Sequence, residues 1–400
     1  MNVSVIVVSR GRPHWLARCL TALRQLDHPS FEVVLVADPD SLSKVNHTGM
    51  KAVVFHDANI SAARNAGIRE ASGEICAFID DDAVPEPLWL NHICVAFDQT
   101  NADAVVGYVR GRNGISYQSR VASVDAEAET HEELPGDETA HFPNLHAGHA
   151  LKLVGTNMSF RRSTLSALNG FDEAFRYYLD DTDISLRLHR AGKRAAVAPL
   201  AEVHHGFAPS ERRTSLRAPT DLFDIGRSSA IYFRRHKPSN TSELFKRIHR
   251  REKARLIRHM NIGTIEPRDV RGLLATLDAG WADGISMDLP TLDKNFDAPP
   301  DFNPLKSLPS GHQVLSSRLL KRRETLKNAS ELSRNGHRCS VFSFSLTPVR
   351  HHVRYTDSGV WIQTGGQFGR TIRDGKRFRW CRFARRREEE IQRVAKIRGI

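Results

Sequence analysis

Cysteine is scarce in this 400-residue chain, and the five present (Cys19, Cys76, Cys94, Cys339 and Cys381) are scattered and odd in number. They show no CxxC spacing. That excludes a disulfide framework and a cysteine-based zinc site, and it fits a reducing compartment. Long apolar runs are missing too: no stretch reaches 18 such residues, so no membrane-spanning helix is expected. The opening residues, Met1 to Arg12, lack a basic n-region, a long apolar core and a cleavage site, which speaks against a signal peptide. They read as a first strand. Internal repeats and low-complexity tracts are absent as well. What remains is a cytoplasmic protein of two or three domains with ample length for a large core.

What is present is unevenly placed. The net charge of +12 hides two different halves. Residues 1–235 carry 25 Lys and Arg against 29 Asp and Glu, a net of −4; residues 236–400 carry 33 against 17, a net of +16. An acidic or neutral module is joined to one suited to an anionic partner.

Residues 1–110 alternate strand and helix signals. Val3–Val8, Phe31–Val36, Val53–His56, Ile75–Ile79 and Ala104–Val109 read as strands, and Pro13–Leu26, Ser61–Ala71 (capped by Ser61) and Glu86–Phe97 as helices. Such alternation predicts an α/β fold with a mostly parallel sheet flanked by helices. Residues 115–150 are polar, acidic and rich in histidine, and read as a loop or lid. Order returns in Leu153–Arg161, in a helix over Phe175–Ala191, and in the short extended pieces Arg194–Val197 and Ala201–His205. Basic helices follow over Asp221–Arg235, Ser242–Met260 and Glu266–Ala279, then a Pro- and Asp-rich linker over Asp288–Gly311. A helix over Gln313–Arg334, strands Cys339–Phe344, His351–Tyr355 and Val360–Gln363, and a charged terminal helix from Cys381 complete a basic α+β extension. The expected domains are 1–235, 236–311 and 312–400.

The most informative stretch is the apolar run Ile75–Ile79, which stops on Asp80-Asp81-Asp82. Adjacent like charges at a strand end repel and resist desolvation, a cost that a divalent cation reverses. The C-terminal ends of such strands are also where open α/β sheets bind ligands. Four other constellations stand around it in the sequence: Ser9-Arg10-Gly11-Arg12, the Asn59–Gly67 stretch with Arg64 and Asn65, Gly155–Arg162 followed by Gly170–Phe175, and Asp180-Asp181-Thr182-Asp183 opening a helix.

In this order and at this spacing, residues 1–210 resemble glycosyltransferase family 2, the inverting glycosyltransferases of GT-A fold. The resemblance implies a nucleotide-diphosphate-sugar donor and a divalent metal, Mn²⁺ or Mg²⁺. Asp80 and Asp82 match the ends of the family's DxD motif, Asp82 reaching the metal and Asp80 the ribose or sugar as well as the metal, with Asp81 beside them. Ser9, Arg10, Arg12, Asp38, Arg64 and Asn65 fall where the donor is held. Asp181 matches the catalytic base, with Asp180 its neighbour. Pro199–His205 resembles the segment that supplies a histidine metal ligand in some members, either His205 or His204. One departure stands out: Ala37 occupies the usual base-recognising Asp position, with Asp38 one residue later.

Physical chemistry agrees: a leaving diphosphate needs neutralising, and an acceptor hydroxyl needs a carboxylate to take its proton. Two other readings remain open. One is a catalytically silent GT-A-like module with a nucleic-acid-binding tail; the other is a sugar nucleotidyltransferase, for which Ser9–Arg12 is too short a phosphate loop. Nucleic acid is not the expected partner. The expected acceptor is a glycan or lipid-linked molecule, and the cations and aromatics of residues 350–383 suit an anionic membrane surface. His131, His141, His146 and His149 are irregularly spaced and read as part of the lid over the acceptor site, not as a metal site. Thr364–Gly369 lacks GK[ST] and reads as a turn.

Overall fold

The computed structural model describes residues 1–209, 211–236, 240–292, 296, 298–306 and 311–400. In chain order the elements are β1 (Val3–Ser9), α1 (Pro13–Leu23), β2 (Phe31–Ala37), α2 (Pro39–Ser43), β3 (Lys51–Val54), α3 (Ile60–Glu70), β4 (Ile75–Asp80), β5 (Ala83–Pro85), α4 (Trp89–Thr100) and β6 (Ala104–Arg110). Short strands follow: β7 (Tyr117–Ser119), β8 (Ala122–Val124), β9 (Thr130–Glu132), β10 (Ala150–Leu151) and β11 (Met158–Arg161). Then come α5 (Arg162–Ala167), α6 (Asp180–Arg190), β12 (Ala195–His205), and three helices, α7 (Phe223–His236), α8 (Thr241–Asn261) and α9 (Pro267–Ser286). The chain ends in β13 (His312–Arg318), α10 (Arg322–Arg334), β14 (Arg338–Ser345), β15 (His352–Tyr355), β16 (Val360–Gly366) and α11 (Phe383–Arg398).

The main sheet runs β3-β2-β1-β4-β11-β6-β12-β5, with β7 beside β6. It is mostly parallel; β11 enters antiparallel between β4 and β6, and β5 antiparallel to β12. Strand alternation sorts the side chains into two layers. Val3, Val5 and Val7 of β1 and Ala77 and Ile79 of β4 pack with Leu16 and Leu20 of α1 and Trp89 and Phe97 of α4. Ile6, Cys76 and Phe78 point the other way, against Ile68 of α3, Leu165 of α5 and Ile184 of α6. Covered on both faces, the sheet leaves its strand ends for chemistry.

Several boundaries differ from the sequence expectation, for local reasons. Asn59, not Ser61, caps α3: its side chain accepts from the Ala62 N–H at 3.1 Å, while Ser61 Oγ donates to the Phe175 carbonyl. The helix expected from Phe175 begins only at Asp180, because Tyr178 and Leu179 take positive φ (73° and 66°) and re-aim the chain. The two extended pieces after Arg194 are one strand, β12, with a register shift between Ala198 and Glu202 around Pro199. The expected lid is partly ordered as β7 and a small sheet, β10-β8-β9.

The largest correction lies in 313–334. Residues His312–Arg318 form not a helix but a strand, β13, because they pair in parallel with β14; only Arg322–Arg334 is helical. Leu319 and Leu320, which extend the apolar pattern, are exposed. The resulting sheet, β13-β14-β16-β15, carries α10 on one face and α11 on the other. The helices α7, α8 and α9 pack together against Val124, Ala150 and Leu186, α7 and α9 closely enough that a Cβ on Gly280 would meet the Phe223 carbonyl at 1.9 Å. Of the expected linker, residues 293–295, 297 and 307–310 lie outside the described residues.

Candidate active site

The three aspartates after β4 part company by burial. Asp80 faces a cleft of about 1510 Å³, accepts from Thr156 Oγ1 at 2.5 Å and stands 3.8 Å from the Arg64 guanidinium. Asp81 turns inward and is fully buried, held by Ser9 Oγ at 2.6 Å and by Arg12 at 2.5 and 3.1 Å. Burial pushes its carboxyl up to about 7 against the pull of Arg12. Asp82 is also buried, but the raising effect of burial is outweighed by His205, Arg12 and the Ala208 N–H at 2.7 Å, which hold it down to about 2.

Adjacent residues on a strand face opposite ways, and this separates the two histidines. His205 Nε2 lies 3.2 Å from Asp82 Oδ1, and its Nδ1 is 2.8 Å from Gln118 Oε1 on β7. One ligand atom from each of Asp80, Asp82 and His205 lies within 4.8 Å of the others. His204 does not join them. It is buried under the C-terminal sheet, its ring 4.7 Å from Trp361 and its Nε2 2.8 Å from Glu86. Glu86 is in turn gripped by Arg398, from the end of α11, at 2.8 and 2.9 Å.

Across the cleft the first turn of α6 presents the second acid pair, where a helix N-terminus favours negative charge. Asp180 is buried and ion-paired with Arg64. Burial is the main cause that pushes its carboxyl up to about 6, with Arg64 opposing and Asp181 adding. Asp181 is partly exposed to the cleft, where Oδ2 accepts the Gly155 N–H at 3.2 Å and Oδ1 the Thr182 hydroxyl at 3.1 Å. Arg64 therefore stands between Asp80 and Asp180, and links the two acidic groups.

The remaining predicted donor residues are not all at the cleft. Ser9 and Arg12 spend their donors on Asp81. Asp38 caps α2 through the Ser41 N–H at 2.9 Å and accepts the Gly11 N–H at 2.8 Å. Arg10 is exposed. Asn65 is a correction: it lies on α3 and is fully buried, its amide holding the Phe171 backbone in both directions, at 2.8 and 2.9 Å. Sequence reasoning passed over Thr156, Gln118 and Glu86. Thr156 lies within a motif already singled out, whereas Gln118 sits in a polar stretch and Glu86 finds its partner 312 residues away.

Residues 4–168 match the family described as "Glycosyl transferase family 2". They form a glycosyltransferase family 2 domain. This domain contains Asp80 and Asp82, while Asp181 and His205 lie beyond the matched span. A pre-mycofactocin glycosyltransferase of Mycobacterium tuberculosis is 27% identical over 229 residues, covering 54% of this chain and 44% of that protein. The succinoglycan biosynthesis protein ExoM of Rhizobium meliloti is 28% identical over 233 residues, 54% of this chain and 70% of its own. The crystal structure of S. aureus TarS 1–349 in complex with UDP-GlcNAc covers 71% of this chain and 89% of that one, at 16% identity and a TM-score of 0.42. The chain thus spans less than half of the mycobacterial relative's length. Among the described residues, no helix is long and apolar enough to cross a membrane.

Proposed function

We propose that this chain is an inverting, metal-dependent glycosyltransferase that moves a sugar from a nucleotide-diphosphate sugar to an acceptor hydroxyl in glycan biosynthesis. The observation that carries the proposal is the convergence of Asp80, Asp82 and His205 beside the cleft that Asp181 lines. The donor set fits a divalent cation. Gln118 Oε1, 2.8 Å from His205 Nδ1, orients the ring so that Nε2 faces Asp82 Oδ1 at 3.2 Å, where a cation can replace the proton between them. When bound, Mn²⁺ or Mg²⁺ would supply Lewis-acid neutralisation of the donor's diphosphate.

The chain's own residues divide the rest. Arg64, between Asp80 and Asp180, limits the repulsion of two acidic groups that face one substrate. Asp180 is committed to that ion pair. Asp181, free of it and partly exposed, is the base: its carboxylate takes the proton of the acceptor hydroxyl as attack develops. A single displacement inverts the anomeric centre and needs no covalent nucleophile.

A panel of nucleotide sugars, screened by thermal shift with Mn²⁺ and with EDTA, tests the donor half. At least one should raise stability only with the cation, since a bound ligand stabilises by mass action. A panel with no cation-dependent shift and no nucleoside diphosphate release argues for a silent module. The acceptor is proposed to be lipid-linked. Its support is a basic loop in which Ile372, Phe378 and Trp380 are exposed beside Arg373, Lys376 and Arg377, with Ile372 and Arg373 also lining the cleft. Such a mixture suits an anionic membrane surface.

A further inference from the structure

The lid holds a second set of metal-binding side chains, far from β4 in sequence and built from residues that the proposed transfer does not use. Asp125 at the end of β8, His131 on β9 and His149 just before β10 come from three separate segments, yet one ligand atom from each lies within 4.8 Å of the other two. Their irregular spacing hid this in the sequence; the pairing of β9 and β10 on either side of β8 produces it.

The site is held in place. Asp125 Oδ1 accepts the N–H groups of Glu127 and Glu129 at 2.8 and 3.0 Å, which fixes the carboxylate and leaves Oδ2 towards His131 Nε2 at 3.1 Å. The Asp125 carbonyl accepts from the Tyr232 hydroxyl at 2.8 Å, which ties the turn to α7. The rings of His131 and His149 stand 4.7 Å apart, and Ser123 Oγ contacts His149 Nδ1 at 3.1 Å. His146 is next in line, its ring 5.6 Å from that of His149. His141, the fourth histidine of the stretch, points elsewhere: its Nδ1 meets the Thr139 carbonyl at 2.9 Å.

We propose that Asp125, His131 and His149 bind a zinc ion that pins the lid, with water in the fourth position. Two imidazoles and one carboxylate form a borderline donor set that suits zinc, whereas the Asp80–Asp82 cluster is richer in hard oxygen. The consequence is mechanical. The same small sheet contributes Ala122, Thr130 and Glu132 to the wall of the cleft, with Lys152 just past β10. A zinc ion that joins β8, β9 and β10 orders that wall, on the side where an acceptor would lie. The inference does not depend on which reaction the cleft carries out.

The test uses the full chain without a histidine tag, zinc alone as the probe, and metal analysis together with the visible absorption of the Co²⁺-substituted protein. One equivalent of zinc should remain bound in Asp82→Ala. In that Asp82→Ala background, adding His131→Ala or His149→Ala should weaken it by more than about 100-fold, since even outer partners of a metal site cost up to that much. His131 is exposed, so its replacement should leave the fold intact. Hydrogen exchange across residues 122–151 should slow on zinc addition to the wild-type protein and not to His131→Ala. Zinc binding that survives both histidine replacements in the Asp82→Ala background, the lack of any equivalent in Asp82→Ala, or exchange in the lid that ignores zinc would each overturn the proposal.

Discussion

Replacing Arg398 by Met should undock the C-terminal helix from the glycosyltransferase domain and disturb, from behind, the strands that position Asp82 and His205. Arg398 and Glu86 are each 1% exposed in their side chains and share two hydrogen bonds, at 2.8 and 2.9 Å. The guanidinium also lies 4.4 Å over the Trp361 ring and 3.2 Å from Ser340 Oγ. Burial would raise the Glu86 carboxyl, but Arg398 and His204 hold it far below the ordinary range. Removing the arginine therefore leaves a buried carboxylate with only a histidine beside it. Breaking a buried pair in this way costs about 3–5 kcal/mol. At about 1.4 kcal/mol per tenfold, amide protection in α11 should fall by roughly 10²- to 10⁴-fold.

The double variant Arg398→Met with Glu86→Gln should recover much of that loss, because the orphaned charge is gone. The pH dependence has a definite sign. A carboxylate whose folded value is depressed stabilises fully above its ordinary value of 4.5, and the contribution fades as pH falls below it. Protection of α11 should thus weaken in acid more in the wild type than in the double variant. The latter keeps only the acid sensitivity of Glu390 on the same helix, where the raising effect of burial is outweighed by Arg393 and His351, which hold the carboxyl down to about 2. Protection in Arg398→Met within threefold of wild type would refute the reasoning. Because β5 pairs His205 with Ala83 and His204 with Val84, the single variant should also weaken Mn²⁺ binding.

Asp82→Asn should weaken Mn²⁺-dependent donor binding by calorimetry, with little effect on binding measured in EDTA. Gly280→Ala should destabilise the α7–α9 pair by about 1–3 kcal/mol, because its Cβ would overlap the Phe223 carbonyl at 1.9 Å; denaturant unfolding followed at Trp281, on the same helix, reads it. Trp380→Ala with Phe378→Ala should reduce flotation on vesicles rich in anionic lipid. Binding that ignores both the substitutions and salt would contradict membrane contact.

The legible parts of the sequence were those whose physics is local. Near-continuous apolar, largely β-branched runs in Val3–Val8 and Phe31–Val36 announce buried strands, and an apolar run that ends on three aspartates announces a charged strand end. Order along the chain then linked Asp80 and Asp82 to Asp181. What sequence could not show depends on distant partners. His204 and His205 are equivalent in composition, and only the facing of β12 sends one to Asp82 and the other to Glu86. Residues His312–Arg318 are a strand only because β14 lies alongside. Asn65 has the amide of a ligand-binding residue, yet it folds the chain back on Phe171. The Asp125–His131–His149 cluster has no regular spacing because strand pairing, not helix periodicity, assembles it.

The most direct measurement compares wild type with Asp181→Asn at saturating nucleotide sugar, Mn²⁺ and acceptor. If Asp181 takes the acceptor proton, donor affinity should stay within about threefold while transfer falls by roughly 10²- to 10⁴-fold, the usual contribution of a general base. Near-normal turnover in Asp181→Asn, with donor affinity preserved, would contradict the assignment of the base and shift it to Asp180.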